Sequence, residues 1–338
     1  LIKLVTKNLK EVKVDEQKFA NIKEAMIREL KNKKLGQAYS RGGYYNYLML
    51  LQDQYTDEEK LTALTPITLS DVKAFAQTLY DKVYITGMVH GNWSDDKARQ
   101  SVDILLTALG SKPLPENERF EKVVEVMPEG EKFRFSREVA DNNNSLAYAI
   151  QVGEKSLPLL AKTAIIASIV ESDFYTQMRT NQQLGYIVWS FHQRIEDRIF
   201  IRLVIQSSTH GPFEMSKRVN TWLTSTEKLF SSLTDQEFER HQQSLIIALE
   251  KEGDSIGAVA GNLYSLATDE KGDFHFKKKM IKAIRELKKA EVAQTAGRVL
   301  RDPKTPRLEV LMRAKGYKKE LPEGIIAEVS QFKNRLKR

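Results

Sequence analysis

A change of period constrains this chain more than any other feature. Ile166, Val170, Phe174 and Met178 recur every four residues, so they share one side of a helix. Shortly afterwards Ile199, Ile201, Leu203 and Ile205 take every second place, the spacing of a strand with one buried face. Leu184 to His192 supplies the outgoing strand of a hairpin, and Glu196-Asp197 the turn. A stripe on a helix that runs into an alternating hairpin is best buried by laying the helix on the sheet. Leu146, Tyr148, Ile150 and Val152 alternate one strand earlier, and Ser156 with Pro158 marks where the helix starts. Phe133 to Val139 and Leu308 to Met312 read as further strands, and Gly211-Pro212 opens a helix-rich stretch to about Leu300.

Residues before this block follow the same logic. Phe19, Ile22, Met26 and Leu30 mark one face of a helix, and Tyr44 to Leu51 a second helix after a flexible Arg41-Gly42-Gly43. Ser70 is expected to cap a third helix through Leu79, and Val83 to Val89 to form a strand. Ser94 caps the next helix and Gly110 ends it, with Pro113 and Pro115 beyond. A domain boundary is expected in residues 110–118, dividing the chain into 1–115 and 116–338. Residues 69–91 read helix, strand, Gly. Residues 287–316 echo that order, with Val72 matched by Val292 and Gly91 by Gly316. The expected class is α+β: two related domains, each an antiparallel-rich sheet layered with helices.

Composition narrows the chemistry. The 338 residues contain no cysteine, which removes disulfides, thiolate metal sites and a thiol nucleophile. No apolar stretch approaches the ~20 residues that cross a bilayer, so no membrane partner is expected. Charge is uneven: Lys271 to Arg338 holds 20 Lys and Arg against 8 Asp and Glu, a net of +12, leaving −4 for residues 1–270. Such a stretch suits an anionic partner. Its lysines, however, mix with apolar residues at helical spacing and few aromatics, the pattern of solvated helix faces. Nucleic acid is therefore not expected as a partner.

The five histidines are His90, His192, His210, His241 and His275, and none forms a His-x-x-Glu-His or His-Glu-x-x-His pair. No P-loop, Gly-x-Gly-x-x-Gly or Gly-x-Ser-x-Gly occurs. Ser70/Lys73 and Ser94/Lys97 fit Ser-x-x-Lys, but both serines sit at helix starts, where capping explains them. Glu171/Asp173 and Glu196/Asp197 lie on a polar helix face and in a turn. Spacing alone gives no complete catalytic set.

The segment Met178 to Val188 stands out. Arg179 falls at the C-terminal edge of the apolar stripe, where a helix dipole favours a cation. Gly185 allows a close approach at the start of a strand. Tyr186 reads either as a half-buried strand aromatic or as a hydroxyl donor. An Arg fork and a Tyr hydroxyl across a helix–strand junction have the right chemistry to converge on one carbonyl oxygen and stabilise it as it gains charge.

Phe174-Tyr175-Thr176-Gln177-Met178-Arg179-Thr180-Asn181-Gln182-Gln183-Leu184-Gly185-Tyr186-Ile187-Val188 resembles a signature of the C-terminal half of the pitrilysin/insulin-degrading-enzyme family. Arg202 to Ser207 resembles the family's next strand, and Val89-His90-Gly91-Asn92 the end of a strand in the preceding domain. The resemblance implies an inverzincin zinc metallopeptidase of four related α+β domains in two halves, closing around a chamber that admits peptides. It implies that zinc and its motif belong to the N-terminal half, so that zinc is a cofactor of the parent enzyme and none is bound here. Residues 1–115 would be a partial third domain and 116–338 a complete fourth. Arg179 and Tyr186 would reach the substrate at the zinc. The implied partners are peptide substrates and the N-terminal, zinc-bearing half. Two other readings remain open: an inactive assembly subunit of the same architecture, and a basic polyanion-binding module. Relatives live in the bacterial periplasm and inside eukaryotic cells, so the compartment stays undetermined, with the absence of cysteine leaning toward a bacterial source. Because the chain opens on Leu1, it is expected to be a piece of something longer.

Overall fold

The computed structural model describes residues 2–10 and 13–336. Lys337 and Arg338, the last charges of the basic stretch, lie outside the described residues. The chain forms two compact units. The larger comprises Lys34–Gln54, Lys122–Lys251 and His275–Arg338, and the smaller Leu1–Lys33, Tyr55–Glu121 and Glu252–Phe274. The connector at residues 110–118 runs just ahead of one change of unit at Glu121/Lys122. Two further segments, 34–54 and 252–274, are exchanged across it.

In the larger unit the elements are α1 (Ala38–Leu50), β1 (Lys132–Glu138), β2 (Asn144–Glu154), α2 (Leu157–Tyr175), β3 (Ile187–Ile195), β4 (Arg198–Ser207), α3 (Pro212–Ser231), α4 (Asp235–Glu250), α5 (Phe276–Glu286), α6 (Lys289–Ala296), β5 (Arg307–Arg313) and α7 (Val329–Leu336). The five strands make one sheet in the order β1-β5-β2-β4-β3. β1 and β5 are parallel; the other pairs are antiparallel. Glu196 turns the β3–β4 hairpin with φ of 48°.

Both faces of this sheet are covered, which explains the near-continuous burial of β2. On one face Leu146, Tyr148, Ile150, Ile201, Leu203 and Ile205 meet Ile166, Val170, Phe174 and Met178 of the α2 stripe. On the other, Ala147, Ala149, Phe200 and Val310 receive Tyr45, Leu48 and Met49 of α1. The small alanines of β2 are what let α1 lie close. Gly42 serves the same end: a Cβ there would stand 3.3 Å from both Ala147 Cβ and Ser145 Oγ. Arg41-Gly42-Gly43 is therefore not the flexible lead-in expected, but the middle of α1, where missing side chains allow packing.

One polar cluster interrupts the first face. Glu309 of β5 accepts from Ser216 Oγ at 2.7 Å and Asn220 Nδ2 at 3.2 Å on α3, and from Arg134 Nε at 3.2 Å on β1. The Tyr148 hydroxyl donates to Asn220 Oδ1 at 3.0 Å, and Arg307 donates to the Tyr148 oxygen at 3.3 Å and to the Leu300 carbonyl at 2.8 Å. Burial pushes the Tyr148 hydroxyl up to about 12, with the Arg307 charge opposing. Tyr148, Arg307 and Glu309 are all buried.

The smaller unit is mainly helical. Its helices include Glu16–Lys33, Asp57–Leu64, Leu69–Thr78, Asp95–Leu109 and Ile256–Thr268. Ser94 caps as expected and Gly110 closes its helix with φ of 58°. Thr68, not Ser70, caps Leu69–Thr78, because Thr68 and Asp71 exchange hydrogen bonds in a capping box. The strand expected over Val83–Val89 shrinks to Lys82–Val83, paired in parallel with Lys112–Pro113, and Tyr84, Ile85 and Val89 are exposed. β-rich composition makes no strand without a partner to bond, and among the described residues this short pair is the only sheet of the unit. The echo is thus helix, strand and Gly in full only in its second copy, at α6, β5 and Gly316. Among the described residues no helix is long and apolar enough to cross a membrane.

Candidate functional site

The end of α2 positions the site. At Thr176–Asn181 the helix widens into a π turn, closed by Gln182 N–H to the Gln177 carbonyl at 3.1 Å. Such turns recur at functional sites because they re-aim side chains. Met178 stays sealed in the core, so Arg179 faces outward. Gln183 adopts a left-handed φ of 49°, the Leu184 N–H bonds back to the Met178 carbonyl at 2.8 Å, and Leu184 is buried as an anchor. Gly185 then passes against β4: a Cβ there would lie 1.8 Å from the Gln206 carbonyl oxygen. That contact fixes where the next residue emerges.

The next residue is Tyr186, 84% exposed and just ahead of β3, so it is not a half-buried strand aromatic. The structure brings the two sequence-predicted residues together. The Arg179 guanidinium carbon lies 5.2 Å from the centre of the Tyr186 ring. Among the described residues no carboxylate pairs with Arg179, and neither its guanidinium nor the Tyr186 hydroxyl is taken up by a hydrogen bond. Two donors thus stand side by side, one cationic and forked, the other a phenol, both available to an oxygen that carries or gains charge.

Beside the pair, a cleft of about 520 Å³ runs between α2 and β3, lined among others by Glu171, Tyr175, Thr176, Trp189 and Phe191. Tyr175, Trp189 and Phe191 are exposed aromatics that sequence reasoning did not single out. The signal was present: on β3 the inward places go to Val188 and Ser190, so the alternation sends Trp189 and Phe191 outward.

Ser168 Oγ, on the same cleft, shares a hydrogen bond with His241 Nδ1 of α4 at 2.9 Å. Burial, and secondarily the Arg240 charge, hold the His241 imidazole below the usual 6.5, against the pull of Glu237. The unfolded chain then binds more protons than the folded one between that lowered value and 6.5, so stability falls as pH drops through this window. Replacing His241 with Gln is expected to remove its share of that slope, read as a flatter melting temperature against pH just below 6.5. An unchanged slope would show that this ring does not titrate differently on folding.

Among the described residues no group of three or more His, Cys, Asp or Glu is placed to hold a metal ion. The residues described here therefore do not fit a zinc site.

Comparison with known proteins places this geometry. Residues 1–63 match the family description "middle or third domain of peptidase M16", and residues 165–264 match "PQQ synthase PqqF-like, C-terminal lobe domain 4". A nardilysin-like protein of Arabidopsis thaliana is 28% identical over 305 residues, covering 87% of this chain and 29% of that protein. Insulin-degrading enzyme of Mus musculus is 28% identical over 254 residues, covering 73% of this chain and 25% of that enzyme. The crystal structure of pitrilysin superposes with a TM-score of 0.82 at 20% identity, over 96% of this chain and 35% of that one. The chain thus spans between a quarter and about a third of the length of these proteins. The fold is that of α+β peptidase domains. The chain is thus similar to the C-terminal half of M16 peptidases such as pitrilysin and insulin-degrading enzyme.

Proposed function

We propose that this chain is the non-zinc half of a zinc metalloendopeptidase that degrades peptides in an enclosed chamber, and that Arg179 and Tyr186 bind the substrate carbonyl. The observation that carries the reading is the pair itself, a half-buried Arg179 beside an exposed Tyr186. A guanidinium and a phenol are stacked 5.2 Å apart with no internal partner. Donors left free by their own fold suit a group that arrives from outside. Held in place before reaction, they favour an oxygen that becomes more negative over one that does not. The stacked ring also limits the rotamers open to the guanidinium.

On this reading residues 1–115 belong to the family's third domain and 116–338 to its fourth. Zinc and its ligands belong to an N-terminal half. Because no cluster here fits the metal, no reaction step through zinc is assigned to these residues. Their part is to hold and polarise the peptide bond.

The test uses the full-length protein and a fluorogenic peptide. Tyr186→Phe and Arg179→Met are each expected to lower kcat by roughly 10²–10³-fold, the usual loss for one oxyanion donor. Melting temperature should stay near wild type, because Tyr186 is 84% exposed. Wild-type kcat in both variants overturns the proposed role.

A further inference from the structure

A second cavity lies on the opposite face of the same sheet, within the larger unit. It holds about 250 Å³ between α1 and the β3–β4 hairpin. Tyr39 and Tyr47 of α1 and Trp189 and Phe191 of β3 give it aromatic walls. Tyr39 and Trp189 meet edge to face at 5.2 Å. Gly43 lines it as well, and a Cβ there would touch nothing within 4 Å. At Gly43 the space is open because α1 places no side chain there.

Arg202 of β4 also lines this cavity, and it is only 6% exposed. Its guanidinium has one recorded partner, the Asn46 side-chain oxygen, to which it donates. Its Nε–H is buried without a partner, as is the Asn46 Nδ2. Among the described residues no carboxylate pairs with it. Burial holds the guanidinium down to about 10, the mark of a charge kept in an apolar place without compensation. A fold gains nothing from a lone buried cation, since an apolar side chain of similar volume would be cheaper to bury. An uncompensated guanidinium that opens on a cavity with aromatic walls is a receptor lacking only its anion.

We propose that this cavity binds a monocarboxylate with an aromatic or apolar body, its carboxylate on the Arg202 fork and its body between Tyr47, Trp189 and Phe191. One guanidinium matches one carboxylate and suits bidentate pairing. The volume is below that of a site for a drug-sized ligand, which limits the body to about one ring. A free peptide C-terminus and an acidic side chain beside an aromatic one carry this same chemistry. The inference rests on the cavity and stands independently of the peptidase reading.

The probe is hippurate, a benzoyl group on a glycine carboxylate, titrated calorimetrically into the full chain with Trp189 emission as a second readout. Hippuramide, the same body without the charge, is the control. Hippurate is expected to bind at least about tenfold more tightly than hippuramide, the scale of a charge-assisted pair. Arg202→Met should abolish that preference and raise the melting temperature, since it removes an uncompensated charge. Gly43→Met fills the cavity from α1 without touching Arg202, and should abolish binding of both compounds. Two blocked dipeptides separate the sources: one ends in a free phenylalanine carboxylate, the other is amide-capped and carries an internal glutamate beside phenylalanine. Whichever binds names the natural group. Equal affinity for hippurate and hippuramide, hippurate binding that survives Arg202→Met, or no hippurate binding at all overturns the proposal.

Discussion

Gly185→Ala is expected to be among the most destabilising single substitutions in this chain. The added Cβ would stand 1.8 Å from the Gln206 oxygen and 2.8 Å from its carbonyl carbon. Both are backbone atoms of β4, which is bonded on one side to β2 and on the other to β3. Neither neighbour can give without breaking a ladder. Overpacking typically costs about 1–3 kcal/mol and more where backbone must move, so a loss above about 3 kcal/mol is expected. For a protein of this size that is a fall in melting temperature of roughly 4 °C or more. The same displacement would carry Tyr186 away from Arg179, so activity should fall further than stability alone explains. Thermal melts of wild type and variant decide the matter. A difference within a degree or two would show that the hairpin shifts freely and that Gly185 is not held by β4.

Glu309→Gln should be comparably severe for a different reason. Glu309 takes hydrogen bonds from Ser216, Asn220 and Arg134, and shares its cluster with the buried Arg307 and Tyr148. The amide keeps the shape but removes the negative charge. It also presents two N–H groups where three donors already point. Breaking one member of a buried charged cluster costs about 3–5 kcal/mol, because the remaining cation stays behind uncompensated. Denaturant melts should show a lower midpoint with an unchanged slope. An unchanged midpoint would mean that water already reaches Arg134, the cation paired with Glu309, and supplies what Glu309 is held to supply.

The sheet-and-helix core was legible in the sequence because its two periods differ and follow one another. The α2 stripe and the β4 alternation are both fully buried, on the same face of the sheet. What could not be read was anything set by the opposite face. Gly42 looked like a hinge, and only the position of Ala147 shows it to be a contact. Val83 to Val89 had strand composition, but pairing is a property of the partner, and the partner offered two residues. Thr68 outcompeted Ser70 because Asp71 stands three places after the threonine, a capping box visible in the sequence and overlooked. At the site, residue types suggested a donor pair and the family resemblance supplied its role. Their proximity depends on a π turn and a left-handed glutamine that no spacing rule anticipates. Arg202 read only as the start of a strand, since nothing in an alternating strand tells a paired arginine from an unpaired one.

The way the chain is shared between its two units has a practical corollary. It passes from one unit to the other at five places. A scission at Glu121/Lys122, which a linear map would choose, yields two fragments that each hold pieces of both bodies. The N-terminal fragment would carry away α1, and with it the layer that shields Ala147, Ala149 and Phe200. Neither fragment is then an independent folding unit, whereas the two together retain every segment required. Mixed in solution, such fragments form a natural split-protein pair, whose reassembly would report on the return of α1 to the larger unit and of residues 252–274 to the smaller one.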